Sequence, residues 1–239
     1  MTRKAELLHL INIFAAPAEV AADLAETPRW RAPLIFMILC SALTGWFMVP
    51  AIVEPMRKIF ISSYGEGAAE GAIKSVSMTM LVTRMIIQPC VVIVRWVFFA
   101  GLLTAGAFLS VGRQGQVYRK LFAFVAYAEG IFILLNIITV LVIYAKGIDT
   151  IASQADLTVI KGADQLLRDN FSGDLLSSIL STLTPFSAWY LVVITLGYHA
   201  LTGIGRTKGL VIAIAAWIMF AALGELQSKT TLLLLSAFH

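Results

Sequence analysis

Apolar positions in this chain form long runs separated by short polar stretches. The most informative run is Met85 to Val111, MIIQPCVVIVRWVFFAGLLTAGAFLSV. It is long enough to cross a bilayer with some tilt, and it carries one formal charge, Arg95, well inside. Together with four other apolar runs it predicts membrane spans at about residues 34–53, 85–111, 121–145, 186–205 and 210–226. The predicted fold is all-α, a polytopic membrane helix bundle with about five transmembrane helices and flanking amphipathic helices.

The pattern before the first span is different. Leu7, Leu8, Ile11 and Phe14 recur at helical spacing on one side. Pro17 then breaks or restarts the helix, because proline suits a first turn and not an interior. Glu19, Asp23 and Glu26 follow. Residues 1–32 therefore read as a cytoplasmic amphipathic segment, too short and too charged to span, lying on the membrane or on the bundle. Residues 33–239 read as a five-span membrane domain. Pro28 and Pro33 bracket Arg29, Trp30 and Arg31, which belong at the headgroup level; with Trp189 these are the expected interface anchors. Ser41 and Gly45 form a small-xxx-small pair that lets another helix approach closely.

Between the spans, residues 54–77 read as a polar, glycine-bearing connection, and VGRQGQVYRK as a short basic one. Residues 146–184 are the longest polar stretch, predicted as short amphipathic helices broken near Gly162 and Gly173. GRTKG is a tight basic turn that makes the last two spans an antiparallel hairpin. The tail TTLLLLSAF is apolar but too short to cross again.

Charge then sets orientation. With five spans, Arg3, Lys4, Arg29, Arg31, Arg113, Arg119, Lys120, Arg206 and Lys208 share one side, and the acidic 146–184 stretch falls opposite. The positive side is cytoplasmic, which places the N-terminus inside and the C-terminus outside. Of the 239 residues, 59% are hydrophobic and 13% charged, too little charge to cover a water-soluble domain. The net charge of +4 is explained by these flanking cations. No basic cluster with interleaved aromatics points to nucleic acid.

Several polar side chains interrupt the spans. Arg84, Gln88 and Arg95 lie at offsets of four and seven, within about 40° of one another on a regular helix, and predict one inward polar stripe. A charge in lipid needs a partner. Arg95 lies ~24 Å from Val111 and Glu225 lies ~24 Å from Gly209, so depth pairs these two. Glu129 and His199 lie ~12 Å and ~9 Å from their cytoplasmic ends and form a second pair. Asn136 is a further intramembrane polar residue. These groups either fix helix register or form an ion or proton path. Gly101, Ala105, Gly106, Gly197, Gly203 and Gly205 suit close packing or turns.

Catalytic patterns are absent. The three histidines are His9, His199 and His239, and HExxH, GxSxG and Walker motifs do not occur. Cys40 and Cys90 read as small apolar core residues, with no CxxC or Cys/His metal spacing. No cofactor or metal is expected.

The order of several motifs resembles the Yip family, multi-span membrane proteins named for interacting with Ypt/Rab GTPases. The residues that carry it are IFAAP ending at Pro17, PRWRAPL before the first span, GRQGQVYRKLFAFVAYAEG, and PFSAWYLVVITLGYHALTGIGRTKGL. The resemblance covers most of the chain. It implies about five spans, a cytoplasmic N-terminus and a role in interaction; the short cytoplasmic segment suggests a bacterial member in the inner membrane. The expected function is a non-enzymatic integral membrane protein that organises protein partners or lipids, as an accessory subunit of a larger complex. Membrane lipids and other membrane proteins, or a second copy, are the expected partners. The alternative is a small transporter or channel running through Arg95, Glu129, His199 and Glu225.

Overall fold

The computed structural model describes residues 3–112, 115–151, 154–166 and 174–236, with side chains in the last helix described as far as residue 222. Among the described residues there is no strand. The helices are α1 (Arg3–Ala15), α2 (Pro17–Glu26), α3 (Arg31–Tyr64), α4 (Glu66–Val82), α5 (Gln88–Val111), α6 (Val117–Ala128), α7 (Gly130–Lys146), α8 (Asp174–Thr182), α9 (Pro185–Thr202) and α10 (Arg206–Ser236). A π-turn, Thr83–Ile87, joins α4 to α5. Three stretches among the described residues are long and apolar enough to cross a membrane: Arg31–Tyr64, Ala69–Val111 and Val117–Lys146. The protein is an all-α membrane helix bundle.

Two regions differ from their sequence reading. The polar connection expected over 54–77 is helical apart from Gly65. Gly65 takes φ 76°, a left-handed conformation in which a side chain is disfavoured, and it separates α3 from α4. Polarity marks where a helix leaves lipid, but it does not stop the helix; α3, at 34 residues, is far longer than the ~20 residues that cross hydrocarbon. In 146–184 the short amphipathic helices are mostly 3₁₀ turns, at Ile148–Thr150, Gln154–Leu157 and Ala163–Leu166, with one α-helix, α8. Gly162 does mark a break. It lies against the backbone of Ser181, where a Cβ has no room, and the Ala163 N–H donates to the Leu183 carbonyl at 3.0 Å. Gly173 lies outside the described residues.

The chain divides into two compact units. One comprises Arg31–Arg95 and Gly130–Ile160. Its helix α3 contains Pro50 and Pro55, which cannot donate to the carbonyls one turn back; membrane helices tolerate this where neighbouring groups re-satisfy the backbone. Near Pro50, the Tyr144 hydroxyl of α7 donates to the Phe47 carbonyl at 3.0 Å while its ring meets Phe47 edge-on. Ala51, Ile143 and Ile151 form a small core, with Met48, Leu157 and Val159 against it. Gly45 is where α3 meets the π-turn: a Cβ there would come within 2.9 Å of the Arg84 Cβ. This is the close approach that the Ser41/Gly45 spacing anticipated.

The other unit comprises Met1–Trp30, Trp96–Glu129 and Lys161–His239. Its core lies where α6 and α9 meet. Leu121, Phe124, Tyr127, Ile194 and Tyr198 are fully buried, and the Phe124 ring fills the space left by the missing side chain of Gly197. The Tyr198 hydroxyl donates to the Leu103 carbonyl at 3.1 Å. The sequence TPFS dictates the start of α9. Thr184 and Ser187 form a reciprocal capping box, and Pro185 occupies the first helical position. Gly203, at φ 72°, ends the helix. Around this core α2 packs on α9 and α6, α1 on α2 and α6, and α10 on α9.

Candidate functional site

The polar residues singled out within the spans have separate surroundings. Gln88 and Asn136 are exposed. Arg84 lies in the π-turn, where i→i+5 bonding shifts the register by about one residue. The stripe expected from regular 3.6-residue periodicity is therefore interrupted at its first member, and its second faces outward. The Arg95 guanidinium sits 5.2 Å from the centre of the Phe132 ring on α7, a cation–π contact. Glu129 is buried, 3% exposed, at the one-residue junction of α6 and α7, and its N–H donates to the Val125 carbonyl at 3.0 Å. His199 Nδ1 lies 2.7 Å from the Ile204 carbonyl oxygen. A carbonyl only accepts, so this nitrogen carries a proton, and the ring helps close the end of α9. The side chain of Glu225 lies outside the described residues.

The interface anchors also divide. Arg31 is exposed. Trp30 is partly exposed, with its ring edge-on to Phe122. Trp189 stacks obliquely between Phe14 and Phe186, and Arg29 donates from Nη1 to Glu6 Oε1 at 3.0 Å.

That last bond belongs to a polar cluster beneath α1. Glu6 and His9 are three positions apart on one face of the helix. His9 Nε2 lies 3.1 Å from Asp23 Oδ2 on α2, and the His9 ring lies 5.9 Å from the ring of Tyr127 on α6. The Tyr127 hydroxyl is buried without a hydrogen-bond partner among the described residues. Two ionisable pairs thus hold α1 against α2 and the residues that follow it, and a ring contact sets it against α6. His9, Asp23, Glu6 and Tyr127 were not legible as a site. The available signal was the i,i+3 pair Glu6/His9 opposite the apolar Leu7, Leu8 and Ile11.

The unit formed by Arg31–Arg95 and Gly130–Ile160 holds a cleft of about 560 Å³, lined by Val53, Glu54, Arg57, Ser77, Tyr144 and Ile148 among others. Two of its hydroxyls are turned to backbone: Ser77 donates to the Ile73 carbonyl and Tyr144 to that of Phe47. Its remaining polarity is the Glu54/Arg57 pair of positions on one turn of α3. Among the described residues, no three His, Cys, Asp or Glu side chains converge to hold a metal.

No curated protein and no solved structure matches the chain. A family model described as the Yip1 domain matches residues 11–224, nearly all of the helices described above. The chain therefore belongs to the Yip1-domain family of membrane proteins.

Proposed function

We propose that this protein is a non-enzymatic organiser in the bacterial inner membrane, with its N-terminus cytoplasmic, which holds protein partners and lipids in place. Asn136 carries this reading. It lies in the middle of the apolar stretch Val117–Lys146 and is exposed. A carboxamide facing hydrocarbon is costly, and it is relieved when a polar side chain of another helix meets it. A second copy of the chain or a different membrane protein supplies that group. Exposed Gln88 on α5 adds a second such position. The local bond of His199 to Ile204 weighs against its use in a conduction path.

The test is gentle extraction followed by size analysis and identification of the proteins and lipids that co-purify. A defined oligomer or a stoichiometric partner is expected, lost or weakened about tenfold in Asn136→Leu, since one such membrane hydrogen bond contributes roughly 1–2 kcal/mol. A monomer without partners, or an assembly indifferent to Asn136→Leu, removes the reading. Ion flux in proteoliposomes abolished by Glu129→Gln would install the transport reading in its place.

A further inference from the structure

Helix α1 turns one apolar strip away from the protein while two of its ionisable side chains face inward. Its polar Glu6 and His9 point into the structure, bonded to Arg29 and Asp23. Ile13 also points in and is fully buried, but three large aliphatic side chains point out: Leu7 is 61% exposed, Leu8 55% and Ile11 68%. A helix resting on a water-exposed surface would not present such a strip to solvent while turning ionisable groups inward. The three side chains lie within about 100° of arc on α1 and form one apolar strip.

Ring contacts fix where along α6 and α9 this strip lies. His9 meets Tyr127, ~15 Å along α6 from Val117. Phe14 meets Trp189, their ring centres 5.4 Å apart; Trp189 lies only ~6 Å from the start of α9 and ~20 Å from its end at Thr202. The chain then turns at Ala16–Pro17 and returns through α2, which packs on α9 and α6. Trp30 meets Phe122, back within ~8 Å of Val117. With α6 and α9 in membrane spans, the N-terminal segment enters at the Val117 end, climbs most of the length of α9, and leaves where it entered.

The turn suits that setting. Pro17 is the first residue of α2 and brings no N–H to satisfy. The Ala16 N–H donates to the Asn12 carbonyl at 2.7 Å, and the Glu19 and Val20 N–H groups donate to the Ala16 carbonyl. A backbone in hydrocarbon must find its partners internally in this way. Glu19, exposed two residues past the turn, falls near the level where α9 begins, close to the far headgroups.

We propose that α1 and α2 form a re-entrant hairpin buried in the bilayer, with Leu7, Leu8 and Ile11 in contact with lipid acyl chains. The polar cluster of Glu6, His9, Asp23, Arg29 and Tyr127 is then the staple that holds this membrane-embedded element to α2 and α6.

Single cysteines test this in the full chain after replacement of the two native ones, Cys40→Ala and Cys90→Ala. Leu8→Cys, Ile11→Cys and, as the reference near the exit of the hairpin, Glu26→Cys are labelled with an environment-sensitive fluorophore. The labelled protein is reconstituted in phosphatidylcholine–phosphatidylglycerol vesicles. All three positions are exposed on the chain, so the substitutions leave its packing intact. The labels at positions 8 and 11 are expected to lose at least half their emission to lipids brominated in the acyl chain and little to aqueous iodide, with the reverse at position 26. Quenching of the position-11 label by iodide would place α1 in water and overturn the proposal. Protection from both quenchers would overturn it too, since a protein partner then covers the strip.

Discussion

Gly197 shows how much one missing side chain decides. A Cβ built there runs into the ring of Phe124, and that ring is buried in the α6–α9 core with no space to retreat. Gly197→Ala is expected to destabilise the protein by about 1–3 kcal/mol, the usual cost of overfilling a packed interior, and Phe124→Leu in the same chain should recover part of the loss. Gly101→Ala is the control, because a Cβ there meets nothing; replacing glycine inside a helix should leave stability unchanged or raise it by up to ~1 kcal/mol. Thermal melts of the three variants in one detergent decide it, and equal melts for Gly197→Ala and Gly101→Ala would refute the packing argument. The sequence presents these glycines alike, together with Gly106, Gly203 and Gly205. The structure sorts them: Gly106 fits against Ile212, Gly203 needs a left-handed φ, and Gly205 meets nothing. Spacing shows that a residue is small, but it does not reveal what stands opposite.

At the scale of elements, the long apolar stretches were legible because lipid imposes one simple rule on them, and the Pro17 restart was legible because proline has one preferred place in a helix. The polar cluster under α1 was hidden for the opposite reason. Glu6, His9 and Asp23 look like the solvent face of an amphipathic segment until α2 and α6 are placed beside them. The helical course of 54–77 was hidden because charges such as Glu54, Arg57 and Lys58 report only that the chain has left the apolar run. The cluster makes a prediction about how α1 is held. His9→Ala and Asp23→Ala should each loosen α1, and the double variant should be little worse than either single, with a coupling of about 0.5–3 kcal/mol as expected for residues in contact. Hydrogen exchange across residues 6–15 measures this directly. Fully additive effects would mean that the 3.1 Å contact contributes nothing to holding the helix.

For the whole molecule the consequence is one of parity. A hairpin that enters and leaves on the same side adds no crossing, so the five spans we propose are α3, α4 with α5, α6 with α7, α9 and α10. Three of these stretches satisfy length and composition outright among the described residues. On the five-span reading proposed here, the capped, 18-residue α9 and the 31-residue α10 would supply the other two, each at least ~27 Å long and so close to the thickness of the hydrocarbon core. Five crossings would put the ends of the chain on opposite sides. The basic connections carrying Arg119 and Lys120, and Arg206 and Lys208, would then share the side of Arg29 and Arg31, the side that we propose from the charge bias to be cytoplasmic. A protease-sensitive tag fused before Met1 should therefore be cut only in inside-out vesicles, and one fused after His239 only in right-side-out vesicles. If both tags are cut from the same side, the count is even. In that case the five-crossing reading fails, because an even count requires one of these five stretches not to cross or the N-terminal segment to cross once.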